Sequence, residues 1–285
     1  MSPSDPVPEE RDLAAGRELA RLLAIMRLLR SGCPWDRAQD LRSLRPYLVE
    51  ETFEVLDALD ANDLGQLREE LGDLLFQIVF QSHLTAERGA FGMGDVARGI
   101  ADKLISRHPH VFGEGETPDA ETALRNWAAL KKIERQRKGE ANPSALDGVP
   151  RDAPALLRAE RLGEKAARTG FDWTAVAQVR AKVDEELGEL DAAMATGDRR
   201  RVEEELGDLL FTLCNLARWL QTPAEDALRG AIARFDRRFR HIEARLAAEG
   251  SSPDRASAAE LQALWDEAKR IEQNETSAAE RPGPA

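Results

Sequence analysis

Apolar positions recur at three- and four-residue intervals along most of the chain, which is the period of a helix with one buried face. Leu19, Leu22, Leu23, Met26 and Leu29 keep this spacing near the start. Leu48, Val55 and Leu59 carry a second stripe between Pro46 and Ala61. Asn62-Asp63 breaks it, and Leu67, Leu71, Leu74 and Ile78 resume it. Leu228, Ile232, Phe235, Phe239, Ile242 and Leu246 alternate spacings of four and three, which predicts a bundle seam. Thr222-Pro223-Ala224-Glu225 predicts that helix's start, with Thr as cap, Pro at the first position and Glu closing a capping box. Val and Ile together number only 19, which starves any large sheet. The expected fold is all-α, in antiparallel helix bundles.

The pattern occurs twice. Glu50-Glu51-Thr52-Phe53-Glu54 recurs as Glu185-Glu186-Leu187-Gly188-Glu189, and Glu70-Leu71-Gly72-Asp73-Leu74-Leu75-Phe76 as Glu205-Leu206-Gly207-Asp208-Leu209-Leu210-Phe211. Both blocks shift by 135 positions. Lys103 and Arg107 resemble Arg234 and Arg238, Trp127 and Lys131 resemble Trp265 and Lys269, and Trp35 has a counterpart in Trp173. At about 100–200 residues per domain, 285 residues fit two such modules. The expected division is a disordered tail over 1–16, one module over 17–138 and another over 155–274. Residues 139–154, holding Pro143, Pro150 and Pro154, form a linker, and 275–285 a second tail.

Composition narrows the partners. Asp plus Glu number 52 against 40 Lys plus Arg, a formal charge of −12, so no nucleic acid polymer and no anionic membrane is expected. A small phosphate ligand needs only a local basic patch and stays open. No apolar run approaches the ~18 residues of a membrane span. The first ten residues lack the basic start and apolar run of a signal peptide, so a cytoplasmic protein is expected. Cys33 and Cys214 lie far apart and read as packing residues.

The acids carry the candidate chemistry. Glu51 and Glu54 share one helix face, as do Glu70 and Asp73. If the chain folds back at Asn62-Asp63, each pair lies ~10 residues, or ~15 Å, from the turn, and the two pairs face each other. Gly197 and Asp198 mark the same turn for Glu186, Glu189, Glu205 and Asp208. A single Glu-x-x-Asp is commonly a solvated face. These acids instead border apolar stripes and keep their spacing in both copies. An all-oxygen, carboxylate-rich cage suits Mg²⁺, with Mn²⁺ as a substitute, and not Zn²⁺. Di-iron bundles use Glu-x-x-His, which none of the four histidines completes.

Glu-Glu-x-x-Glu followed by Glu-x-x-Asp resembles the signature of the MazG-type nucleoside triphosphate pyrophosphohydrolases. These are all-helical enzymes related to dimeric dUTPases. Gly32-Cys33-Pro34-Trp35-Asp36, Arg107-His108-Pro109-His110-Val111-Phe112, Ser144-Ala145-Leu146-Asp147 and Gly170-Phe171-Asp172-Trp173 are similar to the tandem bacterial form. The resemblance implies two tandem bundles of the all-α NTP pyrophosphatase type and a homodimer. It implies Mg²⁺-dependent hydrolysis of nucleoside triphosphates to monophosphate and pyrophosphate. Glu186, Glu189, Glu205 and Asp208 would hold metal in the second module, and Glu51, Glu54, Glu70 and Asp73 in the first. Glu185 is the candidate to orient or deprotonate the attacking water, with Glu50 its counterpart. Arg234 and Arg238 are a candidate phosphate clamp, and Trp265 and Lys269 candidates to stack a base and hold a phosphate.

The copies differ in their cations. Lys182 stands four residues before the first ligand of the second module, where the first module has Tyr47. Arg201 stands four before the third ligand, against Gln66. A triphosphate carrying ~−4 charge is expected to prefer the second module. Two alternatives are a narrower pyrophosphatase for dUTP, phosphoribosyl-ATP or a modified nucleotide, and a non-catalytic helical interaction protein with structural metal sites.

Overall fold

A computed structural model describes residues 6–113 and 144–279, and local turn chemistry sets the bend of each of its two helical hairpins. Among the described residues no strand occurs. Trp127 and Lys131, read above as echoes of Trp265 and Lys269, lie outside them. The chain divides into two compact units, Met1–Ala141 and Asn142–Ala285.

The first unit holds α1 (Glu10–Gly32), α2 (Pro34–Ala38), α3 (Arg45–Asp60), α4 (Leu64–Glu87), α5 (Met93–Arg107) and α6 (Pro109–Phe112). Met26, Leu44, Val79, Phe80 and Leu84 form its buried core, ringed by Leu19, Leu22, Leu23 and Phe76. α3 and α4 make a helical hairpin. Asn62, at φ 53°, takes the left-handed conformation that turns the chain. Asp63 then caps α4, its side chain accepting bonds from the Gly65 and Gln66 amides at 2.9 and 3.0 Å.

The second unit holds α7 (Ala155–Ala167), α8 (Val176–Thr196), α9 (Arg199–Trp219), α10 (Ala224–Ala248) and α11 (Ala258–Ala279). α8 and α9 repeat the hairpin by the same device. Gly197, at φ 71°, ends α8, and Asp198 accepts from the Arg200 and Arg201 amides at 3.0 and 3.4 Å. α7 packs on α9, and α10 contacts α7, α9 and α11.

Two expectations need correction. α10 starts at Ala224 with Pro223 at the cap position and no side-chain cap of its own. Thr222 bonds the Leu220 carbonyl instead. The Ala224 amide is satisfied by Glu160 Oε2 at 3.0 Å, a buried carboxylate reaching over from α7. The apolar row on α10 is only half a seam within the chain. Ile242 and Leu246 are 3% and 5% exposed, but Leu228, Ile232 and Phe235 stand 48%, 58% and 58% exposed. The periodicity marks which residues share a face, not whether the same chain covers it.

Candidate functional site

The α8–α9 hairpin sets acids on its two arms opposite each other. Glu186 from α8 meets Glu205 and Asp208 from α9, each offering a carboxylate oxygen within 4.8 Å of the others. Glu186 is only 5% exposed. Glu205 is half-buried and Asp208 open to solvent. Lys182, one turn earlier on α8, bonds both Glu185 and Glu186, with Nζ at 2.7 and 2.9 Å from their Oε1 atoms. Those two bonds, Glu185 first, lift the ammonium above the ordinary lysine range. Glu189, one turn beyond, is pushed up by desolvation and by the charges of Glu186 and Glu205, against the pull of Lys182.

The α3–α4 hairpin repeats the arrangement with Glu51, Glu70 and Asp73. Among the described residues no lysine bonds these acids. Glu51 is raised by desolvation, by its hydrogen bond with Glu54, and by the charges of Asp73, Glu54 and Glu50. Tyr47 occupies the position of Lys182 and meets Trp35 edge-on, ring centroids 5.7 Å apart.

Three carboxylates at this separation repel one another unless a cation lies among them. In the second unit the nearby lysine is shared between Glu186 and Glu185, so it answers only part of that charge. Oxygen donors alone, with one of them buried, fit a hard divalent ion.

The other cations lie differently. Arg201 is exposed one turn before Glu205 and makes no ion pair with a described residue. Arg238 on α10 is engaged by Glu272 of α11 at 2.7 Å and stacks on Trp265, 5.3 Å from the ring centroid. Phe235 meets the same Trp265 ring at 5.5 Å. Arg234 and Lys269 are exposed, Arg234 one turn before Arg238 and Lys269 one turn after Trp265. The structure thus joins Lys182 to the acids and joins Arg238 to Trp265 and Glu272.

One constellation was not read from the sequence. Arg218 grips Asp172 through two bonds of 2.9 and 2.6 Å, and Trp219 Nε1 adds a third at 3.2 Å. Arg218 first, then Trp219, holds the Asp172 carboxyl below the usual carboxylate range. Alignment of the two copies offers the signal for it, since Asn215 and Arg218 fall where the first copy has Phe80 and His83.

Comparison with known proteins gives a consistent picture. The family model of the MazG nucleotide pyrophosphohydrolase domain matches residues 39–112 and 175–243. The nucleoside triphosphate pyrophosphohydrolase of Escherichia coli K12 is 44% identical over 260 residues, covering 90% of this chain and 98% of that protein. The nucleoside triphosphate pyrophosphohydrolase/pyrophosphatase MazG of Thermotoga maritima is 40% identical over 257 residues, 90% of this chain and 97% of that protein. A solved structure, of a mazG-related protein from Thermotoga maritima, is 29% identical, covers 40% of this chain and 98% of that chain, and has a TM-score of 0.36.

Proposed function

This chain belongs to the MazG nucleotide pyrophosphohydrolase family, and on that footing we propose that it hydrolyses nucleoside triphosphates to monophosphate and pyrophosphate. The observation that carries the reading is the acid cluster of the second unit with a lysine at its edge. Glu186, Glu189, Glu205 and Asp208 would hold Mg²⁺, or Mn²⁺ in its place, and Glu51, Glu54, Glu70 and Asp73 would offer the first unit's counterpart. Such an ion, when bound, neutralises phosphate oxygens and eases the deprotonation of a bound water.

The chain's own residues do the rest. Glu185, beside the cluster, orients the attacking water and takes its proton. In the substrate-free state its carboxylate is held by Lys182 at 2.7 Å. A phosphate that draws the ammonium away frees that carboxylate for its task. Water adds to phosphorus, the bond to the pyrophosphate oxygen breaks, and pyrophosphate leaves. Lys182, Arg201, Arg234 and Arg238 neutralise the charge of the triphosphate. Arg238 must trade Glu272 for a phosphate oxygen to take part. Trp265 and Lys269 complete the proposed substrate contacts.

Lys182 and Arg201, at positions that hold Tyr47 and Gln66 in the first copy, support catalysis mainly by the second unit. Leu228, Ile232 and Phe235 remain uncovered, which supports a homodimer that buries them. No described helix is long and apolar enough to cross a membrane, in keeping with action on nucleotides of the cytoplasm.

The test is a panel of ribo- and deoxynucleoside triphosphates with Mg²⁺, read by product analysis. Monophosphate and pyrophosphate in equal amounts are expected. Turnover confined to one nucleotide favours the narrower pyrophosphatase, and no product with any of them overturns the hydrolase reading.

A further inference from the structure

Glu272 stands among the groups proposed to receive the triphosphate, although its charge repels one. Trp265, Lys269 and Glu272 follow one another at spacings of four and three, so they share one face of α11. Arg238 on α10 meets two of the three. Its guanidinium lies 5.3 Å from the Trp265 ring centroid and reaches Glu272 Oε2 from Nε at 2.8 Å and from Nη2 at 2.7 Å. We propose that Glu272 is a positioning residue that competes with the substrate's phosphates for Arg238, and so limits triphosphate affinity and eases the departure of pyrophosphate. The inference rests on the hydrolase reading above.

Geometry is the first argument. The Trp265 ring takes the flat face of the guanidinium, which leaves its edges for hydrogen bonding. Nε and Nη2 form the side-on edge, the fork with which an arginine grips a carboxylate or a phosphate. Glu272 fills that edge, so the carboxylate and a phosphate oxygen exclude each other there. Both side chains are only 21% exposed, which shields the pair from the screening that makes surface ion pairs weak. A phosphate that takes Arg238 must therefore offset a real contact.

The neighbouring arginine makes the exchange feasible. Arg237 Nη2 lies 3.4 Å from Glu272 Oε1, the oxygen that Arg238 does not use. When a phosphate draws Arg238 away, the carboxylate keeps a cation beside it and is not stranded as an unpaired charge. The same arrangement favours return. Once pyrophosphate forms, Glu272 is at hand to take Arg238 back and displace the product.

The internal repeat separates this acid from a simple clasp between helices. Trp127, Lys131 and Glu134 repeat the spacing of Trp265, Lys269 and Glu272, so the acid travels with the tryptophan and the lysine. Glu267 offers the contrast. It also ties α11 to α10, through Arg245 and through His241 Nε2 at 3.2 Å, but it does not touch Arg238. Its position in the first copy holds Ala129. An acid that only joins the two helices is thus dispensed with in the sister module, whereas the acid beside the proposed clamp is kept.

The test uses the full chain as wild type, Glu272→Gln and Glu267→Gln, with folding verified by circular dichroism. Binding is read by calorimetric titration of the α,β-methylene analogue of ATP with Mg²⁺, which resists cleavage at the bond in question. Monophosphate formation from the best substrate of the nucleotide panel, with and without added pyrophosphate, gives KM, kcat and the inhibition constant. Glu272→Gln should bind the analogue about three- to tenfold more tightly, and KM and the pyrophosphate inhibition constant should fall by a similar factor. The kcat should stay within about threefold, because the competition acts on ground and transition states alike. Glu267→Gln should stay within about twofold on every measure. Glu272→Asp, which draws the carboxylate back by one methylene, should show a smaller gain of the same sign and serves if Glu272→Gln does not fold. Unchanged or weaker binding in the folded Glu272 variants, or an equal gain in Glu267→Gln, would overturn the proposal and leave the hydrolase reading intact. Tighter analogue binding in Glu272→Gln, from a protein that cleaves no triphosphate, would overturn the hydrolase reading and support the competition.

Discussion

Replacing Lys182 by methionine should strengthen metal binding and weaken substrate binding, two effects of opposite sign from one change. The ammonium makes two charge-assisted bonds, 2.7 and 2.9 Å long, to Glu185 and Glu186. Such bonds contribute roughly 1.5–3 kcal/mol each when shielded from water. Lys182 is 34% exposed and Glu185 58%, so screening reduces the sum to about 1–2 kcal/mol. An ion that takes Glu186 must break this pairing. The Glu186 bond is about half of that sum, so without the lysine Mg²⁺ affinity should rise about 2- to 5-fold. The triphosphate loses a cation at the same time, and its KM should rise about tenfold. Isothermal titration of Mg²⁺ into both proteins at low ionic strength, followed by pyrophosphate-release kinetics, reads both effects. Unchanged or weaker Mg²⁺ binding in the folded variant would refute the competition at Glu186.

Three further outcomes follow from the geometry. Asp172, lowered by Arg218, contributes stability that is present above its unfolded pKa near 3.9 and lost as pH falls through its lower folded value. Asp172→Asn should therefore be less stable at pH 7 by about 1–3 kcal/mol and lose less than the wild type on acidification below about pH 4, by urea unfolding. If the two proteins show the same acid limb, the ion pair does not act as described. Glu160→Ala should cost about 1 kcal/mol by removing the acceptor at the start of α10, and Glu160→Gln, which keeps an oxygen there, should cost less in the same assay. Equal costs would assign the loss to packing. Phe235→Asp should shift the protein to a monomer in light scattering, and a wild type that is already monomeric contradicts the homodimer.

The features legible in the sequence are those set by neighbours along the chain. The turns at Asn62-Asp63 and Gly197-Asp198 could be read because a left-handed residue followed by a capping aspartate is local chemistry. The meeting of Glu186 with Glu205 and Asp208 then follows from helix geometry and the position of the turn. What escaped depends on partners distant in the chain. Thr222 has the form of a cap, but Glu160 takes the role from another helix, and no local pattern encodes that. Arg238 reads as a free phosphate clamp until Glu272 and Trp265 are seen beside it. The row from Leu228 to Phe235 is apolar and periodic, yet most of it faces away from the chain's own core. Asn215 and Arg218 look like ordinary helix residues until the repeat sets Phe80 against the first of them.

The central claim is that the acid cluster of the second unit cleaves nucleoside triphosphates between the monophosphate and pyrophosphate. ³¹P nuclear magnetic resonance of a triphosphate and Mg²⁺ incubated with the wild type, Glu186→Gln or Glu51→Gln tests it most directly. Monophosphate and pyrophosphate are expected from the wild type and Glu51→Gln, and a rate at least ~100-fold lower from Glu186→Gln, the scale of losing a group that stabilises the transition state. Diphosphate and orthophosphate as products, or equal losses in the two variants, would contradict it.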